Sequence, residues 1–132
     1  MIELSPIWCE EAITLFFTLG KHKFRLGSYG RSGEGFKVFN LKVETSEKDK
    51  LYATADEARQ RLESLLPSGK PVWWTDGYLR KDSYVLGYVR KNAIFEKFNA
   101  YIFSASNTMC NGYMEGFPSV SEARKFIESE LD

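Results

Sequence analysis

Histidine is almost missing from this chain: His22 is the only one in 132 residues. It lies between Lys21 and Lys23, where a solvated side chain is the expectation. With only scattered acids and serines about it, a histidine-dependent triad has no support. Cysteine is scarce too, and neither Cys9 nor Cys110 has a second ligand at metal spacing. Both read as reduced thiols in a cytoplasmic core, although two cysteines leave one disulfide open. Net charge is zero, with 18 Lys plus Arg against 18 Asp plus Glu. Such a balance exerts no global pull toward nucleic acid or an anionic membrane. No apolar run approaches the ~20 residues of a membrane span. Met1-Ile2-Glu3 lacks the basic start of a signal peptide. The Gly-rich stretch Ser32-Gly33-Glu34-Gly35 is followed by no Gly-Lys-Ser/Thr and opens no helix, so it does not read as a phosphate cradle. The expectation is a non-enzymatic protein without metal or cofactor.

What is present is a packed globular composition, 43% apolar and 15% aromatic, and an internal echo. Thr54-Ala55-Asp56-Glu57-Ala58-Arg59 returns 65 positions on as Ser119-Val120-Ser121-Glu122-Ala123-Arg124, and Glu63-Ser64 returns as Glu128-Ser129. Both copies read as helix starts. Thr54 or Ser119 caps the first turn, and Glu57 or Glu122 reaches back to the cap's own N–H. Upstream, Phe24-Arg25-Leu26-Gly27 answers to Tyr84-Val85-Leu86-Gly87, and Pro6-Ile7-Trp8 to Pro71-Val72-Trp73. Phe36 to Asn40 is matched to Phe95 to Asn99. Order is kept and spacing drifts only between elements, as loop insertions produce.

The predicted fold is α+β: two repeated units, each about three antiparallel strands followed by a helix, packed into one compact body. The first unit spans residues 1–68 with an N-terminal extension, and the second spans 69–132. Strands are expected at 24–29, 36–45, 51–52, 72–75, 83–90, 94–104 and within 109–117. Helices begin at Ala55 and Val120, burying Ala55, Ala58, Leu62 and Leu65 in one and Val120, Ala123, Ile127 and Leu131 in the other. Residues 5–20 read as helix or strand. Punctuation by Ser5, Pro6 and Gly20 favours helix, while the alternation of Ile13, Leu15, Phe17 and Leu19 suits a strand.

The charge balance hides a local bias. Residues 21–42 carry a net +5 and residues 67–97 a net +3. Tyr29, Trp73, Trp74, Tyr78 and Tyr88 lie among these basic residues. Aromatics beside Arg and Lys can stack on bases and pair with phosphates, or anchor a protein contact. The alternative is cross-strand packing with solvated lysines. Candidate binding residues are Arg25, Arg31, Lys37, Trp73, Trp74, Arg80, Lys81, Arg90 and Lys91.

Three strands and a helix with a basic sheet, together with the Thr54/Ser119-x-x-Glu-Ala start, resemble the plant AP2 type and the integrase arm-binding type of DNA-binding domain. The resemblance implies contact through the sheet. The dense Arg/Trp pattern of those families is absent here, so no DNA-contacting residue carries over. The ending Phe117 to Ala123 is similar to that of short phage and plasmid proteins, some of which block host defence systems. The expectation is therefore a small binding protein, an inhibitor or accessory factor acting on a host protein that itself handles nucleic acid or defence. The runner-up is direct nucleic-acid binding, and an enzyme is third.

Overall fold

The computed structural model describes residues 4–9, 13–43, 45, 50–104 and 113–132. The chain is α+β, with two antiparallel sheets and two helices. The first sheet runs β1 (Ser5–Cys9), β2 (Thr14–Leu19), β3 (His22–Ser32) and β4 (Gly35–Phe39) in sequence order, followed by α1 (Ala55–Ser64). The second runs β5 (Val72–Trp73), β6 (Tyr78–Lys81), β7 (Tyr84–Asn92), β8 (Lys97–Ile102) and β9 (Tyr113–Phe117), followed by α2 (Val120–Glu130). The sheets thus hold four and five strands rather than about three each.

Ser5–Cys9 and Thr14–Leu19 are paired antiparallel strands, not a helix: Trp8 pairs with Leu15 and Ile7 with Phe16. A helix would bury one stripe. Here Leu15, Phe16, Phe17 and Leu19 are all buried, which requires cover on both faces of a strand. Gly20 is no helix stop. It leads the two-residue β2–β3 turn at φ 57°, the backbone region glycine enters without a Cβ penalty. β6 was not foreseen, since Tyr78-Leu79-Arg80-Lys81 offers only one core side chain, Leu79. β4 ends at Phe39, well short of residue 45, where Asn40 turns at φ 54°. Leu51 and Tyr52 do not form a strand, although Tyr52 makes an isolated bridge to Phe36. The expectation for 109–112, and Cys110 with it, lies outside the described residues. Cys9 is a free, half-buried thiol.

Each sheet carries one register shift in a central ladder. Phe16 faces Arg25 and Arg80 faces Val85, with a register shift just before each, at Leu15/Phe16 and Leu79/Arg80. Arg31 faces Phe36 in the first sheet, and Lys91 faces Phe98 in the second. Phe95 lies in the β7–β8 turn.

Both helices begin as the capping residues dictate. Thr54 Oγ1 accepts from Glu57 N–H at 3.2 Å, and Ser119 Oγ accepts from Glu122 N–H at 3.2 Å. The Glu57 carboxylate takes the N–H of Ala53 at 3.2 Å, one residue before the cap whose own N–H was the expected donor. Ala58 and Leu62 of α1, and Ala123 and Ile127 of α2, are fully buried. Burying a side chain such as Leu62 or Ile127 contributes about 1.5–3 kcal/mol. Each helix is also clamped to the first strand of its sheet. The Trp8 indole N–H donates to Glu63 Oε1 at 3.1 Å, with the Arg59 guanidinium 4.4 Å from the ring. The Trp73 indole N–H donates to Glu128 Oε1 at 2.9 Å, with Arg124 4.9 Å from the ring.

One buried cluster runs through both halves. Tyr84 packs edge-on against Phe17 and Phe24 and donates its hydroxyl to the Arg25 carbonyl at 2.6 Å. The tip of the β2–β3 hairpin rests on the end of α2, and a Cβ on Gly20 would lie 2.3 Å from the Glu130 carbonyl oxygen. This packing corrects the solvated reading of His22, which is only 2% exposed. Strand alternation turns His22 inward with Phe24 and Leu26 and leaves Lys21 and Lys23 in water. Its Nε2 lies 3.5 Å from Glu130 Oε1.

Candidate functional site

α2 covers one face of the second sheet, over Leu86, Val89, Ala100 and Ile102. Alternation along the strands therefore puts Tyr78 and Arg80 of β6, Tyr88 and Arg90 of β7, and Asn99 and Tyr101 of β8 on the opposite face. Register makes a row of them: Tyr78 faces Tyr88, and Tyr88 faces Tyr101. The rings stack, with centroids 4.8 Å apart for Tyr78–Tyr88 and 5.0 Å for Tyr88–Tyr101. Phe103 joins at 6.0 Å from Tyr88 and 6.4 Å from Tyr78. None of these four rings is buried, and at the sheet edge Val72 and Trp74 are 56% and 52% exposed. Each aromatic pair contributes about 0.5–1.5 kcal/mol beyond its burial, so the row is stiff as well as open.

Arg80 fixes the edge of the row. Its guanidinium lies 4.2 Å from the Trp74 ring and 5.3 Å from the Tyr78 ring, and bonds both Asp76 carboxylate oxygens at 3.0 and 3.2 Å. The Tyr78 backbone N–H, then Arg80, hold the Asp76 carboxyl below its ordinary value. Stacking of the planar guanidinium on the Trp74 and Tyr78 rings favours arginine over lysine at this position.

At the other end of the face, a cleft of about 300 Å³ opens between the β7–β8 turn and β9, lined by Asn92, Phe95, Lys97, Asn99, Glu115 and Gly116. The turn is built rigidly. Asn92 Oδ1 accepts from the N–H groups of Ile94 and Phe95 at 3.0 and 3.4 Å, and Glu96 closes it at φ 52°. It holds Ile94 and Phe95 out in water, 83% and 69% exposed.

The candidate residues from sequence divide three ways. Trp74, Arg80 and Arg90 share the aromatic face, whereas exposed Lys91, next along β7 and opposite Phe98, projects on the other face. Arg25 lies in the first sheet, where its guanidinium and the Lys23 ammonium sit 5.7 and 4.3 Å from the Phe16 ring. Arg31 lies 5.7 Å from the Phe36 ring, on the β3–β4 ladder that also carries Lys37. Trp73 and Lys81 point into the molecule: Trp73 clamps α2, and the buried Lys81 ammonium donates to the Gly69 carbonyl.

Tyr101, Phe103, Ile94 and Phe95 were not singled out in the sequence. The period-two run Asn99-x-Tyr101-x-Phe103 was the available signal. In the first sheet the matching register holds Thr14 opposite Ser28, hydroxyls 2.7 Å apart, so no tyrosine row forms there.

Among the described residues no helix is long and apolar enough to cross a membrane, and no group of three or more His, Cys, Asp or Glu is placed to hold a metal. No family model, curated protein or solved structure matches the chain.

Proposed function

We propose that this chain is a non-catalytic binding protein whose contact surface is the open face of the second sheet. The observation that carries the reading is the stacked row Tyr78–Tyr88–Tyr101 with Phe103, left open beside exposed Trp74. Contiguous exposed apolar surface marks interaction sites. Tyr, Trp and Arg are the residues that dominate protein–protein contacts. A protein partner suits the face better than nucleic acid does. Arg80 is already held by Asp76, Lys81 is turned inward, and the rings stack on one another. Non-specific nucleic-acid affinity needs several free cations. The narrower reading, an inhibitor or accessory factor from a phage or mobile element, rests on the likeness of its closing segment alone.

The architecture supports a companion proposal: the two sheets with their helices are copies of one unit, the first with a fifth strand reduced to the Tyr52 bridge. Matching bulges and the paired Trp–Glu–Arg clamps support it. On this reading the second copy acquired the aromatic row.

The test is charge reversal at Arg90, on the open face, beside the same change at Arg31 of the first sheet as a control that should leave binding unchanged, with affinity measured at two salt concentrations for a co-purified protein and for a single-stranded oligonucleotide. A protein contact should weaken only mildly with salt, and the oligonucleotide should not bind at physiological salt. Tight oligonucleotide binding that falls log-linearly with salt would move the function to nucleic acid.

A further inference from the structure

Among the described residues, the two most exposed large apolar side chains are neighbours. Ile94 and Phe95 are 83% and 69% open to water. They lie in the four-residue turn 93–96 that joins β7 to β8, and all four residues of that turn are exposed. The turn is braced from within. Asn92 Oδ1 accepts from the N–H groups of Ile94 and Phe95, and Glu96 closes the turn at φ 52°. Both apolar side chains are thereby held at a fixed, outward tip. The two tip donors already have an acceptor, so leaving water costs them little.

Cations stand behind the tip on both sides. Arg90, Lys91 and Lys97 are exposed on the two strands that lead to it. Alternation puts Arg90 and Lys97 on the open face of the sheet and Lys91 on the face that α2 covers. They form a collar round the hairpin rather than a patch on one side. Against them stands Glu96 in the turn, which leaves residues 90–97 at a net +2. Glu115, lining the cleft with Lys97, offsets part of this on the open side. A collar suits an approach along the hairpin axis. A protein contact of ordinary size covers about 800 Å² on each partner, far more than two side chains at a convex tip supply. An anionic bilayer needs no matching shape. Apolar side chains enter the acyl boundary, and long cationic ones reach back to the headgroups. We infer that the β7–β8 turn docks on a membrane surface of anionic phospholipid. Ile94 and Phe95 insert, and Arg90, Lys91 and Lys97 meet the headgroup phosphates. The balanced charge of the whole chain does not oppose this, because screening limits exposed charges to about 8 Å at physiological salt. The contact is reversible, since two side chains and a small net charge anchor weakly. It goes beyond the proposed function and uses the end of the sheet rather than the aromatic row.

The experiment is sedimentation of the intact chain with vesicles of phosphatidylcholine and phosphatidylserine at about two to one, beside vesicles of phosphatidylcholine alone. It is run on the wild type, on Ile94→Ser with Phe95→Ser, and on Lys91→Glu with Lys97→Glu, with a thermal melt of each. The four side chains are exposed, so each variant should melt as the wild type does. The wild type should sediment with the mixed vesicles and at least tenfold more weakly with phosphatidylcholine alone. Each variant should bind the mixed vesicles at least tenfold more weakly than the wild type. A second readout needs no variant. In bicelles of the same lipids, a nitroxide on the lipid chain should broaden the resonances of Ile94 and Phe95 before those of Trp74 and Tyr88. The assignment is overturned if the wild type ignores the mixed vesicles, as a tip made for a protein pocket would. It is also overturned if phosphatidylcholine alone binds equally well, if either folded variant binds as wild type does, or if broadening centres on Trp74 and Tyr88. No partner protein enters these measurements, so they can fail while the aromatic face still binds its partner.

Discussion

Tyr84 and Arg25 join the two halves of the molecule: the Tyr84 hydroxyl donates to the Arg25 carbonyl at 2.6 Å while its ring closes against Phe17 and Phe24. Burial raises the pKa of the hydroxyl above its ordinary 10, against a smaller downward pull from the Arg25 guanidinium. The unfolded chain therefore ionises Tyr84 first. Its contribution is fully present below pH 10 and is lost as pH rises above it, at up to about 1.4 kcal/mol per pH unit for one group. Urea melts between pH 8 and 11 should show this decline. Tyr84→Phe should flatten it, at a cost of ~1 kcal/mol near neutrality for the lost hydrogen bond. An unchanged alkaline slope in the variant would remove Tyr84 from that role.

The same junction bears on independence. Residues 1–68 expressed alone would expose Phe17 and Phe24, and residues 69–132 alone would expose Tyr84 and Leu131, all buried in the whole chain. Neither fragment should give a cooperative melt like the parent's, since units of this size bury little core. Two parent-like melts would make the halves separate beads.

Loss of either cap should cost about the same. Thr54→Ala and Ser119→Ala each remove one 3.2 Å bond to the first turn, and each should destabilise by ~1 kcal/mol. No change in the urea midpoint for either variant would show that cap to be idle.

The tryptophan clamps allow a paired comparison. Trp8→Phe and Trp73→Phe keep a ring beside Arg59 or Arg124 but lose the bond to Glu63 or Glu128. Each should cost ~1 kcal/mol, and the two values should agree within about 0.5 kcal/mol. A cost in only one half would count against equivalent clamps.

The helix starts were legible in the sequence because capping is local chemistry, written within four residues at Thr54 and Ser119. The pairing of β1 with β2 was not. Helix punctuation and strand alternation compete locally there, and only the pairing of Trp8 with Leu15 decides between them. His22 misled for a similar reason. Its lysine neighbours are solvated, but hairpin alternation and the end of α2 bury the residue between them. The candidate site was half legible. Trp74, Tyr78, Arg80, Tyr88 and Arg90 stood out by type, whereas the row they form with Tyr101 depends on strand register, which composition does not encode. The inward turn of Trp73 and Lys81 was equally hidden, set by which face of a short strand meets α2 or the link at Gly69.

The most direct measurement is the affinity of a co-purified protein partner for Trp74→Ala and Tyr88→Ala, read by calorimetry beside thermal melts of the same variants. Both residues lie on the open face; Tyr88→Ala gives up the ring contacts with Tyr78, Tyr101 and Phe103, about 1.5–4.5 kcal/mol together, so the melts establish that each variant is folded at the temperature of the binding measurement. The expected result is at least a tenfold loss of affinity for each, about 1.4 kcal/mol or more of binding energy. Wild-type affinity in both stable variants would contradict the assignment of this face as the contact surface.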